Sequence, residues 1–262
     1  MSRGLKMRRT HLYRALHEGV DDEISEEELD IHFSHMPVRY WPRVTEEILR
    51  RHLGIIHEFF ASLRASDSDG TTPVVRWRHA PERGVTEIEV CSWDRLGLLA
   101  KVAGAFAAVR LNIVRADIFT RADNVVLDVF EVCEAGDRHV QDDSRLQQMA
   151  ELLAAALRCA APTTPVAPRL KTAQTGELHV GFDLERADAF TVLLVEADDQ
   201  LGLLHQLFTA LAECRVNIAH AIVTTENGRA GDVLFLTDED GRKITDAARL
   251  KSIRARVLRC LR

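Results

Sequence analysis

Two stretches of this chain carry the same wording a fixed distance apart. Asp94-Arg95-Leu96-Gly97-Leu98-Leu99 returns as Asp199-Gln200-Leu201-Gly202-Leu203-Leu204. The same offset of 105 places Ala105, Ala107, Arg110, Asn112, Ile113 and Ala116 on identical residues at 210, 212, 215, 217, 218 and 221. A register held through a strand, a turn and a helix marks a duplicated unit. With 262 residues, the chain has room for two small domains and an extension.

Each copy has a readable pattern. Residues 74–79 and 86–93 are extended runs, 96–109 are helical, 112–120 and 125–133 are strands, and 142–160 form a second helix. The second copy repeats this with strands at 179–184 and 190–196, a helix at 201–214, strands at 218–225 and 232–237, and a helix at 246–261. A βαββαβ sheet needs a strand after its last helix, and Arg262 leaves no residues for one. The repeat instead pairs Val75 and Trp77 with Val180 and Phe182, ahead of each first strand. The expected unit is therefore ββαββα, an α+β fold with four antiparallel strands under two helices. Its other face is also apolar: Val126, Phe130 and Val132 oppose Val125, Leu127 and Val129. That face needs a cover, from the other unit, the N-terminal helices or another subunit.

The first sixty-odd residues read as helical. Ser25-Glu26-Glu27-Glu28 is a capping box, Pro37 ends that helix, and Thr45 caps the next, whose apolar stripe runs through Ile48, Ile55, Phe59 and Leu63. The expected organisation is a helical extension at 1–65, a linker at 66–73, one domain at 74–161, a proline-marked linker at 162–176 and a second domain at 177–262.

Composition narrows the function. A net charge of −6 argues against a broad nucleic-acid surface, and Lys6-Met7-Arg8-Arg9 reads as a solvated tail. Five cysteines (Cys91, Cys133, Cys159, Cys214, Cys260), odd in number and without CxxC, read as reduced packing residues. Without a signal-peptide core or an apolar run long enough to span a bilayer, the expectation is a cytoplasmic protein with no membrane partner. His32 and His35, and His52 and His57, have no acidic or cysteine partner at metal-ligand spacing, so neither a metal nor another cofactor is expected.

The candidate ligand-binding residues lie in the repeated motif. They are Asp94, Leu96, Gly97, Leu98, Asn112 and Ile113, and Asp199, Leu201, Gly202, Leu203, Asn217 and Ile218. Gly97 and Gly202 stand where a helix start presents amides to a carboxylate. Asn112 and Asn217 offer amide oxygens to an α-amino group, with Asp94 or Asp199 as N-cap or partner. A bland alternative is that glycine serves helix–sheet packing and asparagine turns the chain. Valine at either glycine is expected to cost the helix only about half a kcal/mol.

The unit with Asp-x-x-Gly-x-Leu before its first helix and Asn-Ile entering the next strand resembles the ACT domain, a regulatory module that commonly binds amino acids. Residues 116–123 (Ala-Asp-Ile-Phe-Thr-Arg-Ala-Asp), 126–130 (Val-Leu-Asp-Val-Phe), 232–238 (Asp-Val-Leu-Phe-Leu-Thr-Asp) and 32–41 resemble the C-terminal ACT region of bacterial PII uridylyltransferases. That family carries Pro where Leu96 and Leu201 stand, and its catalytic halves need a Gly-Ser and a His-Asp dipeptide that this sequence lacks. The resemblance implies two ferredoxin-like ACT domains in tandem and a non-catalytic sensor of an amino acid, glutamine first. It also implies a nitrogen-regulation protein as partner, while the two apolar faces of residues 125–133 point to side-by-side packing of the units plus a homodimer. The alternatives are a ligand-free interaction module, or a partner subunit or remnant of such an enzyme.

Overall fold

A computed structural model describes residues 3–17, 24–64, 70–134, 138–158, 176–226 and 228–261. Three helices come first: α1 (Arg3–His17), α2 (Glu26–His35) and α3 (Glu46–Arg64). The first copy follows as β1 (Val74–Ala80), β2 (Val85–Trp93), α4 (Leu98–Ala108), β3 (Asn112–Thr120), β4 (Val125–Cys133) and α5 (Asp143–Arg158). The second is β5 (His179–Asp183), β6 (Thr191–Asp198), α6 (Leu203–Glu213), β7 (Asn217–Ile222), β8 (Thr225–Glu226), β9 (Arg229–Thr237) and α7 (Ala247–Leu261). The sheets run β1-β2-β4-β3 and β5-β6-β9-β7, so the permuted ββαββα fold is present twice. The short β8, paired to β9, makes the second sheet five-stranded. Cys159, half of the expected linker 66–73 and nearly all of 162–176 lie outside the described residues.

The chain divides into two compact units. The larger comprises Trp77–Ile88, Arg95–Ile118 and Val129–Arg262. Its central strand β9 alternates strictly: Ala230, Asp232, Leu234 and Leu236 are buried, while Arg229, Gly231, Val233 and Phe235 are half-exposed. That is the period-two signature of a strand with one covered face. Strand β6 pairs antiparallel with β9, setting Val195 opposite Asp232 and Leu193 opposite Leu234. Helix α6 packs on α7 and on α4, and α4 also packs on α5. Phe106 of α4 meets Phe130 edge-on at 5.2 Å.

Both repeat helices end alike. Arg110 and Arg215 adopt left-handed φ of 60° and 54°. Leu111 and Val216 donate their amides back to Phe106 and Leu211 at 2.9 and 3.0 Å, closing Schellman turns. A non-glycine residue in this conformation costs about 1 kcal/mol. Offsetting that, the guanidiniums of Arg145 and Arg249 donate to the Arg110 and Arg215 carbonyls at 3.3 and 3.2 Å.

The smaller unit comprises Met1–Arg76, Glu89–Asp94 and Phe119–Asp128. Both sequence-read caps form. The Ser25 hydroxyl accepts from the Glu28 amide at 3.2 Å while Glu28 accepts from the Ser25 amide at 2.9 Å, and Thr45 Oγ1 accepts from the Ile48 amide at 3.3 Å. The helices bury Leu29, Phe33, Trp41, Leu49, Ile55 and Phe59 against Cys91, Phe119, Val125 and Leu127. So α1–α3 cover the sheet face marked by Val125 and Leu127. Residues 6–9 are not a tail but part of α1, with Lys6, Met7 and Arg8 exposed. Arg8 donates to the carbonyls of Trp41 and Val44 at 3.2 and 2.6 Å, and Arg9 to that of Phe33, which ties α1 down.

At the centre, the Tyr40 hydroxyl lies 2.8 Å from His52 Nδ1 and 3.3 Å from His32 Nε2, with all three side chains buried. Burial pushes His52 down to about 3 and His32 well below its usual value, so both are neutral at pH 7. A neutral imidazole offers one donor and one acceptor, and the hydroxyl serves one ring with its proton and the other with its lone pair. Tyr40→Phe removes both links and leaves two buried ring nitrogens unpaired. The expected loss is about 1–3 kcal/mol, measured by urea unfolding; an unchanged midpoint would show that the triad is not structural.

Candidate functional site

The site grows from the way α4 meets α6. Ala100 and His205 are equivalent residues of the two repeats, and His205 Nδ1 lies 2.9 Å from the Ala100 carbonyl oxygen. Contact between equivalent positions puts a local twofold axis at this point. Its neighbours agree: a side chain on Gly97 would meet the Ala212 methyl at 3.7 Å. The ring must donate from Nδ1, leaving Nε2 unprotonated, and burial lowers its pKa despite that bond.

Beside this contact the repeats enclose a cavity of about 20 Å³, room for one water-sized group. Ala107, Asn112 and Ile113 line it from the first copy, and Asp199, Gly202 and Asp232 from the second. Asn112 Nδ2 donates to Asp199 Oδ2 at 2.9 Å, bridging the copies and leaving the Asn112 amide oxygen its accepting capacity.

Of the sequence candidates, Asn112, Ile113, Asp199, Gly202 and Leu203 come together around this cavity. Gly97 and Leu98 stand at the α4 start, and Leu96 is exposed. Leu201 and Ile218 are half-buried and do not line the cavity. Asn217 donates instead to the Asp238 carbonyl of its own copy at 3.4 Å. The Asp94 and Asp199 amides donate to Asn124 and Gly228 at 2.7 and 2.9 Å. Neither aspartate is an N-cap: that position is held by Gly97 and Gly202, and no side chain caps either helix.

The glycines sit at φ of 79° and 84°. Valine there is strained by the backbone itself, so the small cost expected from helix propensity does not apply. The Leu98 and Leu203 amides are also spent, donating to Arg95 and Gln200 at 3.0 Å. Each helix start has one fewer amide to offer than the sequence suggested.

Asp232 was missed. It is 1% exposed, and its carboxylate has no side-chain hydrogen-bond partner among the described residues. Burial pushes its pKa up to about 7, the Thr224 amide opposing and the Asp199 charge adding. Its signal lies in the alternation of residues 232, 234 and 236, which turns an aspartate inward with two leucines. No group of three or more His, Cys, Asp or Glu suited to a metal occurs among the described residues.

Asp232 makes stability depend on pH. The folded chain holds this proton to about pH 7, whereas an aspartate's ordinary value is 3.8. Folded molecules thus bind more protons between those values. The group's contribution is fully present at low pH and is lost as pH rises through 7. Asp232→Asn should be more stable than the parent at pH 8, by up to roughly 4 kcal/mol, and nearly equal to it at pH 4. Melting curves across that range check this, and a difference that does not vary with pH would refute it.

Comparison with known proteins follows the same lines. Residues 179–261 match the family model described as "ACR9-like, ACT-like domain". Bifunctional uridylyltransferase/uridylyl-removing enzymes match most of the chain: from Bradyrhizobium sp. (strain BTAi1) at 31% identity over 90% of this chain and 25% of theirs, from Nitrobacter winogradskyi at 31% over 91% and 26%, and from Gluconobacter oxydans at 30% over 85% and 24%. The chain thus spans about a quarter of the length of these relatives. An aspartate kinase from Synechocystis is similar in structure, with a TM-score of 0.36 and 22% identity over 60% of this chain and 25% of that one. Residues 179–261 are thus ACT-like, and the chain as a whole resembles a quarter-length segment of the uridylyltransferase/uridylyl-removing enzymes.

Proposed function

We propose that this chain is a non-catalytic regulatory protein that senses an amino acid through the cavity where its two ACT repeats meet, residues 74–161 and 177–262 being the domains. The observation that carries the reading is the Asn112–Asp199 bridge beside Gly202, which draws one cavity from both copies of the motif. A ligand seated there touches both repeats and biases how they pack, which is the coupling a regulatory module needs. Glutamine is the first candidate, on similarity to the uridylyltransferases alone, and a nitrogen-regulation protein is the corresponding partner.

The competing reading, an interaction module without a ligand, is favoured by the cavity's size. At about 20 Å³ it admits one small group, so the rest of an amino acid would have to lie outside it. A thermal-shift screen of the twenty amino acids separates the two. A ligand at a hundred times its Kd stabilises by about 2.7 kcal/mol. Asn112→Ala should weaken that binding by roughly 1–3 kcal/mol. No shift with any amino acid at millimolar concentration hands the function to the interaction module.

Self-association is expected as a homodimer through the outer face of the second sheet, where Leu194, Ile222, Val233 and Phe235 remain half-exposed. Sedimentation velocity at micromolar concentration should show the dimer, and Phe235→Glu should dissociate it. A monomer throughout ends this part of the proposal. No helix among the described residues is long and apolar enough to cross a membrane, and neither a membrane nor a nucleic acid is proposed as partner.

A further inference from the structure

The buried carboxylate in the cavity asks for a counterpart. Asp232 is the fourth residue of the nine-residue strand β9, and Asp128 is the fourth residue of its nine-residue equivalent β4. Both are buried, and neither carboxylate has a side-chain hydrogen-bond partner among the described residues. An ionised carboxylate in such a place is costly unless a cation neutralises it.

The two copies share a neighbouring carboxylate and differ in whether a cation opposes it. On Asp128, burial and the Asp94 charge push the pKa well up, opposed by the Phe119 backbone and, least, by the Arg39 guanidinium, a cation drawn from the segment between α2 and α3. On Asp232 the Asp199 carboxylate, the equivalent of Asp94, acts in the same direction, and no cation among the described residues opposes it. From β6 it is faced by Val195, from the segment after β7 by Thr224 and Thr225, from α6 by His205 and from the first repeat by Asn112. His205 is kept neutral by burial. The lining holds two carboxylates and neither a lysine nor an arginine.

We infer that this cavity receives the alkylammonium group of a ligand on the Asp232 carboxylate, with Asp199 beside it, and so selects ligands that carry a primary amine. Size agrees with charge. The space fits one water-sized group, which an –NH3+ head matches and a planar guanidinium exceeds. The inference rests on the amino-acid reading above and reassigns its amine from Asn112 to Asp232. Asn112 then acts through Asp199, whose Oδ2 it holds. Because an ammonium favours the ionised carboxylate, binding displaces the Asp232 proton and tightens as pH rises from 6 to 8.

The test is the melting temperature of the full chain and of Asp232→Asn with three probes. These are L-glutamine; glutaramate, the same skeleton without the α-amine; and ethylammonium chloride, with sodium chloride at matched ionic strength as control. Glutamine and ethylammonium should stabilise the parent, more at pH 8 than at pH 6, while glutaramate and sodium chloride should not. Asp232→Asn should lose at least tenfold in apparent affinity for both amines. A shift with ethylammonium but none with glutamine or any other amino acid would end the sensor reading and keep this one. Should glutamine alone bind, its contrast with glutaramate decides, and that contrast also stands if Asp232→Asn does not fold. Glutaramate binding as well as glutamine, an Asp232→Asn variant that keeps its affinity, or no response to either amine overturns the inference.

Discussion

The larger unit depends on the burial of α4. Leu98, Leu99, Ala100, Val102, Ala103, Gly104, Ala105, Phe106 and Ala107 are all buried, so the helix is enclosed on nearly every side. A helix apolar all round cannot stand at a surface. One side goes to its own sheet, through Phe106 on Phe130, and another to α6. Small residues at 100, 103, 104 and 107 let the α6 backbone come close enough for His205 to reach the Ala100 carbonyl. That approach also holds Asn112 within reach of Asp199.

Duplication makes the arrangement self-consistent without making it symmetric. Equivalent residues repeat their local geometry: paired left-handed glycines, paired left-handed arginines, and paired amide bonds from Asp94 and Asp199. These follow from short-range sequence, which the copies share. Side-chain partners depend on what lies opposite, and there the copies part company. Asn112 reaches across to Asp199 while Asn217 turns to Asp238 of its own copy.

The same distinction sets what the sequence reveals. The ββαββα order, the capping box at Ser25 and the Thr45 cap rest on periodicity and local hydrogen bonding, and each reads directly from neighbouring residues. Half of the site was legible for the same reason, since Gly202 and Asn112 belong to the repeated motif. That Asn112 would serve the other copy's aspartate was not, because an offset of 105 shows equivalence and says nothing of which equivalent residues meet. The tail reading of Arg8 and Arg9 missed their partners on similar grounds. A basic run looks like a tail until the carbonyls it meets, at 33, 41 and 44, are brought beside it by tertiary packing.

Asp232 and Asp128 mark where stability yields to another requirement. An apolar residue at either position would complete the inward stripe of its strand, and the pKa of Asp232, raised from 3.8 to about 7, measures what the carboxylate costs instead. That displacement corresponds to roughly 4 kcal/mol at neutral pH, a large share of the margin on which a small domain stands. A cost of this size is reduced if the charge meets a cation; Arg39 acts in that direction on Asp128, though burial and Asp94 still leave its pKa well above the ordinary value. For Asp232 the cavity offers a second acid. The free energy stored in that pair is therefore available to whatever cation enters, which turns a local instability into a source of affinity.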